Sequence, residues 1–148
     1  MPTPLRFLSP IHRASRQIGI HLSGEVSPLR LASREAHLLS YLQSYAPCAI
    51  SVLHRVFGLQ RTTLTSMLDR LERRGLVRRE LSTNDRRSFL VHLTPAGAAL
   101  AAEVQKPVDE LERLIGAEIS PEDVRGFDRV MEAIARVTGV QVRTEEKP

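Results

Sequence analysis

The chain has 148 residues, 42% of them hydrophobic but only 4% aromatic, which is the size of one ordinary domain built on an aliphatic core. Its 21 Lys+Arg against 17 Asp+Glu leave a net charge of +4, which permits binding to a polyanion without demanding it. The single cysteine, Cys48, excludes an internal disulfide framework, and no apolar run approaches the roughly 20 residues of a membrane span. The start MPTPLRFLSPIHR also lacks the continuous apolar core of a secretion signal, so a cytoplasmic protein without membrane contact is expected.

In chain order, the first helix is predicted to begin at Ser9 as N-cap with Pro10 at the first helical position. Ile11, Ala14 and Ile18 then recur on one face, and the helix should end near Gly24. Gly24, Ser27 and Pro28 make a loop. Ser33 followed by Glu35 opens a second helix with Leu38, Leu39 and Leu42 turned inward, and Ala46-Pro47 stops it. A short helical pattern, AISVLHRVF, closes at Gly58, whose freedom at positive φ suits a tight interhelical turn. LQRTTLTSMLDRLERRG supplies the next helix, closed by Gly75. Two strands, LVRREL and RSFLVHL, follow, with STNDR between them and Asn84-Asp85 as turn chemistry. Thr94-Pro95 then starts a long helix striped by Leu100, Val104, Val108, Leu111 and Ile115, which Pro107 should kink. Ser120-Pro121 opens the last helix, with Val124, Phe127, Met131 and Ile134 spaced for burial. The tail RTEEKP has too little apolar content to pack.

This order is mainly α with a small β-hairpin wing: a winged helix-turn-helix over residues 33–93, flanked by helices at 5–24 and 94–138 and a tail at 139–148. Such a module reads duplex DNA, and the charge is distributed accordingly. Between Arg55 and Arg87 lie nine arginines against Asp69, Glu72, Glu80 and Asp85, a local +5; the remaining 12 basic and 13 acidic residues sum to −1. Phosphate neutralisation with counterion release needs such a concentration of charge. On a helical wheel Leu64, Met67, Leu68 and Leu71 share one side, with Thr62, Ser66, Asp69 and Arg73 opposite and Thr63, Thr65 and Arg70 flanking. Only the first two turns of a recognition helix reach base edges, so Arg61, Thr62, Thr63, Thr65 and Ser66 are the candidate readers, with Gln60 at the approach. Arg61 matches the paired acceptors of guanine, and threonines suit thymine methyls or phosphates. Arg70 and Arg73, farther along, hold either phosphates or acidic partners. At the hairpin tip Arg86 and Arg87 are candidates for a narrow minor groove. One of them can instead pair with Asp85 or Asp69.

The end helices carry more apolar surface than a small head can cover. A second copy would bury it and would set two heads along a palindromic site.

RTTLTSMLDRLERRGLVRR followed by NDRRSFLVHLTPAG resembles the MarR (multiple antibiotic resistance regulator) family of bacterial transcription factors, in its recognition helix, strand, DRR wing and LTxxG start of the next helix. Asp85, Arg86 and Arg87 fall on the DRR motif. The resemblance implies a homodimer joined through its N- and C-terminal helices, binding a palindromic double-stranded operator and usually repressing transcription. It also implies release by a small aromatic, often phenolic, effector held between the dimer helices and the reading heads. Two departures are visible: His54 stands where the family commonly has a small residue, and the usual wing proline is absent from STNDRR.

Other functions find less support. His12, His21, His37, His54 and His92 form no HxxxH pair and Cys48 no CxxC, so no metal or other cofactor is called for. A redox role for Cys48 is less favoured than that of a buried apolar filler. No nucleophile-base motif or phosphate loop points to an enzyme. A winged helix used for protein contacts shares the fold, but the arginines on the helix and wing argue against it.

Overall fold

The computed structural model describes residues 4–83 and 88–140, and the wing-tip residues Asp85, Arg86 and Arg87 lie outside that range. Six helices and three short strands follow in order: α1 Leu8–Val26, α2 Ser33–Tyr45, β1 Cys48–Ala49, α3 Ile50–Phe57, α4 Arg61–Arg73, β2 Val77–Leu81, β3 Phe89–Leu93, α5 Pro95–Glu118 and α6 Pro121–Thr138. A 3-10 turn at Ser27–Leu29 joins α1 to α2.

Helix ends follow the local chemistry, with corrections at both ends of α1. The expected cap at Ser9 is not used: α1 begins at Leu8 with Phe7 as N-cap, and Ser9 and Pro10 lie within its first turn. Proline is tolerated there because first-turn N–H groups have no intrahelical acceptor. At the other end α1 runs through Gly24 to Val26, which is buried in the core. In α2 the cap position is Ala32, one residue before Ser33, and Glu35 reaches back to accept the Ala32 N–H at 3.1 Å. Gly58 closes α3 at φ +59°, its N–H donating to the His54 carbonyl. Thr94 and Ser120 cap α5 and α6 as predicted, each accepting a backbone N–H three residues on. The long helix α5 continues unbroken through Pro107.

The hairpin belongs to a three-stranded antiparallel sheet of order β1-β3-β2. Strand β1 was not foreseen in the sequence. Its two residues pair Cys48 with Val91 and Ala49 with Leu90, tying the start of α3 to the base of the wing. Strand β2 pairs with β3 from Val77↔Leu93 to Leu81↔Phe89, and Ser82 N–H donates to Ser88 O beyond the last pair.

One aliphatic core holds these parts. The predicted inward leucines Leu38, Leu39 and Leu42 meet Leu53 of α3, Leu64, Leu68 and Leu71 of α4, and Val77 and Val91 of the sheet, all fully buried. Helix α5 joins through Ala101 and Val104 and then leaves the core. Its outer stripe grades from buried Val104 to exposed Ile115, and α6 buries no side chain within the chain. Among the described residues no helix is long and apolar enough to cross a membrane.

Candidate nucleic-acid interface

Helix α4 carries the candidate readers because its two sides differ so sharply. Leu64, Met67, Leu68 and Leu71 are buried, which fixes the helix's rotation about its own axis. The same rotation turns Arg61, Thr62, Thr65 and Ser66 to solvent, with Thr63 at the margin and Gln60 exposed as N-cap. Among the described residues nothing binds the Arg61 side chain, so its guanidinium has no internal claim on it. A basic first turn opposes the helix dipole, and β-branched Thr62, Thr63 and Thr65 lower helix propensity. Local stability therefore does not explain these residues, whereas an anionic ligand at the same face does.

Farther along α4 the sequence left two alternatives open for Arg70 and Arg73, phosphate or protein. Arg70 Nε lies 3.6 Å from Glu35 Oε2, so its partner is the buried carboxylate that also caps α2. Among the described residues Arg73 donates only to the Asp69 carbonyl on its own helix, at 3.3 Å, and it remains exposed. The free side of its guanidinium still faces solvent. Arg74, which sequence reasoning passed over, donates to the carbonyls of Arg30 at 2.6 Å and Leu29 at 3.2 Å. It ties the end of α4 to the α1–α2 corner, where Arg30 adopts a left-handed φ of +58°.

Asp69 is engaged by Arg79 of β2, which binds Asp69 Oδ1 through Nη2 and Glu72 Oε2 through Nε, each at 2.6 Å. Partial burial opposes the Arg79 charge, but the bonds to Glu72 and Asp69 outweigh it and raise the guanidinium's pKa. On the other face of the sheet, Glu80 lies 3.3 Å from Arg78 and 2.8 Å from His92 Nε2, the latter at ion-pair distance without hydrogen-bond alignment.

The base of the wing is locked to α5 through four residues. Gly75, at φ +71°, turns the chain out of α4, and its N–H bonds Glu72 O. Thr94 donates its hydroxyl to Gly75 O at 2.6 Å, accepts the Gly97 N–H at 3.0 Å, and donates its own N–H to Leu76 O at 3.1 Å. Gly97 packs directly on the Leu76 carbonyl, leaving no room for a side chain. The motifs RRGL and LTPAG are thus two sides of one joint.

The other candidates are dispersed. His12, His21 and His37 are exposed, the last set edge-on to Phe57 with ring centroids 4.8 Å apart, and His54 is half-buried. Among the described residues no three His, Cys, Asp or Glu side chains gather as a metal set. Cys48 is buried and donates to the Tyr45 carbonyl at 3.0 Å, and burial raises its pKa. Less thiolate is then present at neutral pH than in a free cysteine. Alkylation of native protein at pH 8 should therefore run about tenfold or more slower than in urea, and equal rates would mean an accessible thiol.

Comparison with known proteins agrees with this architecture. Residues 31–89 match the model of the MarR family. The HTH-type transcriptional regulator PecS of Dickeya dadantii is 37% identical over 123 residues, spanning 81% of this chain and 74% of PecS. The multiple antibiotic resistance protein MarR of Salmonella typhimurium is 30% identical over 115 residues, 76% of this chain and 79% of that protein. The solved structure of a cysteine-to-serine variant of E. coli MarR complexed with operator DNA superposes with a TM-score of 0.76 at 25% identity, over 88% of this chain and 94% of that one. These relatives are regulators and not enzymes. The head built around α4 and its hairpin, the end helices that surround it, and these similarities together place the chain in the MarR family of transcriptional regulators.

Proposed function

We propose that this protein is a homodimeric repressor that reads a palindromic operator with α4 and is released by a small aromatic effector. The observation that carries the reading is the solvent-facing row Arg61, Thr62, Thr65 and Ser66 on the first two turns of a helix whose opposite side is fully buried. Only those turns can enter a major groove while the core stays intact. Thr63 and Gln60 flank the row, and Arg73 holds phosphate. Arg70 is committed to Glu35 and contributes by orienting the helix. The Asp85-Arg86-Arg87 wing is assigned to the minor groove through one of its two arginines, with the other paired to Asp85 or Asp69. Residues 33–93 act as the reading unit and 5–24 with 94–138 as the dimer helices. Repression follows where the operator overlaps a promoter.

Two features support the dimer. Apart from Leu81 and Phe89 in the wing, the large exposed apolar side chains among the described residues lie toward the two ends of the chain, at Leu5, Phe7, Leu8, Ile18 and Ile20, and again from Leu114 to Val140. An 18-residue amphipathic helix that fully buries no side chain within its own chain needs a partner to be stable. The crevice between these helices and the heads is the place for the effector.

Selecting bound duplexes from a random pool tests the reading directly. Arg61→Ala should then relax preference at one base position of each half-site, at a cost of about 1–3 kcal/mol. An equal loss on every duplex would remove Arg61 from base reading, and a pool without enrichment would refute sequence-specific binding altogether.

A further inference from the structure

We propose that Arg79, with Asp69 and Glu72, is a positioning clamp that holds the wing at a set angle to the recognition helix, and so fixes how the two meet one duplex. The proposal rests on the DNA-reading function above. Alternation along β2 places Val77, Arg79 and Leu81 on one face of the sheet, with Val91 opposite Arg79. Val77 and Val91 are core residues, while Leu81 is exposed, so Arg79 stands where the sheet leaves the core and loses apolar support. One pair farther out, past Glu80↔Leu90, β1 ends and the wing continues as two strands, a ribbon marginal by itself in water.

Arg79 supplies the missing tie. Asp69 and Glu72, three residues apart, share one side of α4, and the two 2.6 Å bonds use different nitrogens of one planar fork. One contact would let the strand pivot, whereas two fix the rotation of helix against strand. The Arg79 side chain is 26% exposed, against 57% for Arg78 on the opposite face of the same strand, so it is turned inward toward α4.

The experiment compares wild type, Arg79→Gln and Arg79→Lys on the selected operator and on an unrelated duplex across a salt series, with amide exchange of the DNA-free protein alongside. Arg79→Gln should lose about tenfold in operator affinity, keep its affinity for the unrelated duplex, and keep the slope of log affinity against log salt. Arg79→Lys, which keeps the charge but reaches one carboxylate, should fall between them. Without DNA, amides of 77–81 and 89–93 should exchange about fivefold faster in Arg79→Gln, with α2 unchanged. A salt slope smaller by about one, with equal loss on both duplexes, would make Arg79 a phosphate contact and overturn the clamp. Unchanged strand exchange, or faster exchange throughout the core, would overturn it as well. If wild type prefers no duplex, the DNA reading fails, and the exchange arm still decides the clamp.

Discussion

Replacing Gly97 by alanine is expected to destabilise the fold by about 3 kcal/mol, a fall of roughly 10 °C in Tm. A methyl group there would run into the Leu76 carbonyl and lie 2.9 Å from a methyl carbon of Leu93. The carbonyl cannot step aside cheaply, because it accepts the Thr94 N–H, and Thr94 in turn holds Gly75 and Gly97. Relief requires α5 to move off the base of the wing, which breaks the Thr94 bonds and loosens the packing of Ala101 behind them. The control lies in the same helix. Nothing approaches a Cβ built on Gly116 within 4 Å, so Gly116→Ala should gain about 0.5–1 kcal/mol from helix propensity. Thermal melts of the two variants should therefore shift in opposite directions. A Gly97→Ala protein that melts with wild type would show that the joint between α4, β2 and α5 is not rigid.

A charge placed on the last helix should have the largest effect on DNA binding. Phe127 is 61% exposed, and Val124, Met131 and Ile134 of α6 lie on the same face. Phe127→Asp would bury an unpaired carboxylate if a second copy covers that face, at a cost sufficient to separate the subunits. Sedimentation should then give 16.6 kDa in place of twice that mass. Operator affinity should fall about 100-fold or more, since each head would bind its half-site without the effective concentration supplied by the other. The head itself should stay folded, because α6 contributes nothing to its core. Unchanged mass and affinity would place the dimer contact elsewhere.

Much of the reading head was legible from the chain alone, and for local reasons. The Leu64, Met67, Leu68 and Leu71 stripe predicts the buried side of α4, and all four are buried. Gly58 and Gly75 mark the turns where they occur, both at positive φ. Thr94 and Ser120 cap the helices they precede. Where local signals compete they misled: the Ser9-Pro10 pair resembles a helix start, yet α1 begins before it, since proline fits anywhere in a first turn. A two-residue strand is too short for alternation to register, and β1 went unseen for that reason.

The sequence by itself determined which segments are helix or strand, which side of each is apolar, and that positive charge gathers between Arg55 and Arg87. These properties depend on residue type and spacing along a few turns of chain. Only the tertiary structure decided which partners the arginines of α4, its C-terminal end and β2 take. Arg70 meets Glu35, Arg74 caps the carbonyls of Leu29 and Arg30, Arg79 spans Asp69 and Glu72, and Arg61 is left to solvent. The same holds for Gly97, whose need for a bare Cα comes from a carbonyl 21 residues away in the sequence. The reason is physical: a long flexible cation carries the same charge wherever it sits, and its partner is chosen by the folding that brings distant carboxylates and carbonyls within reach.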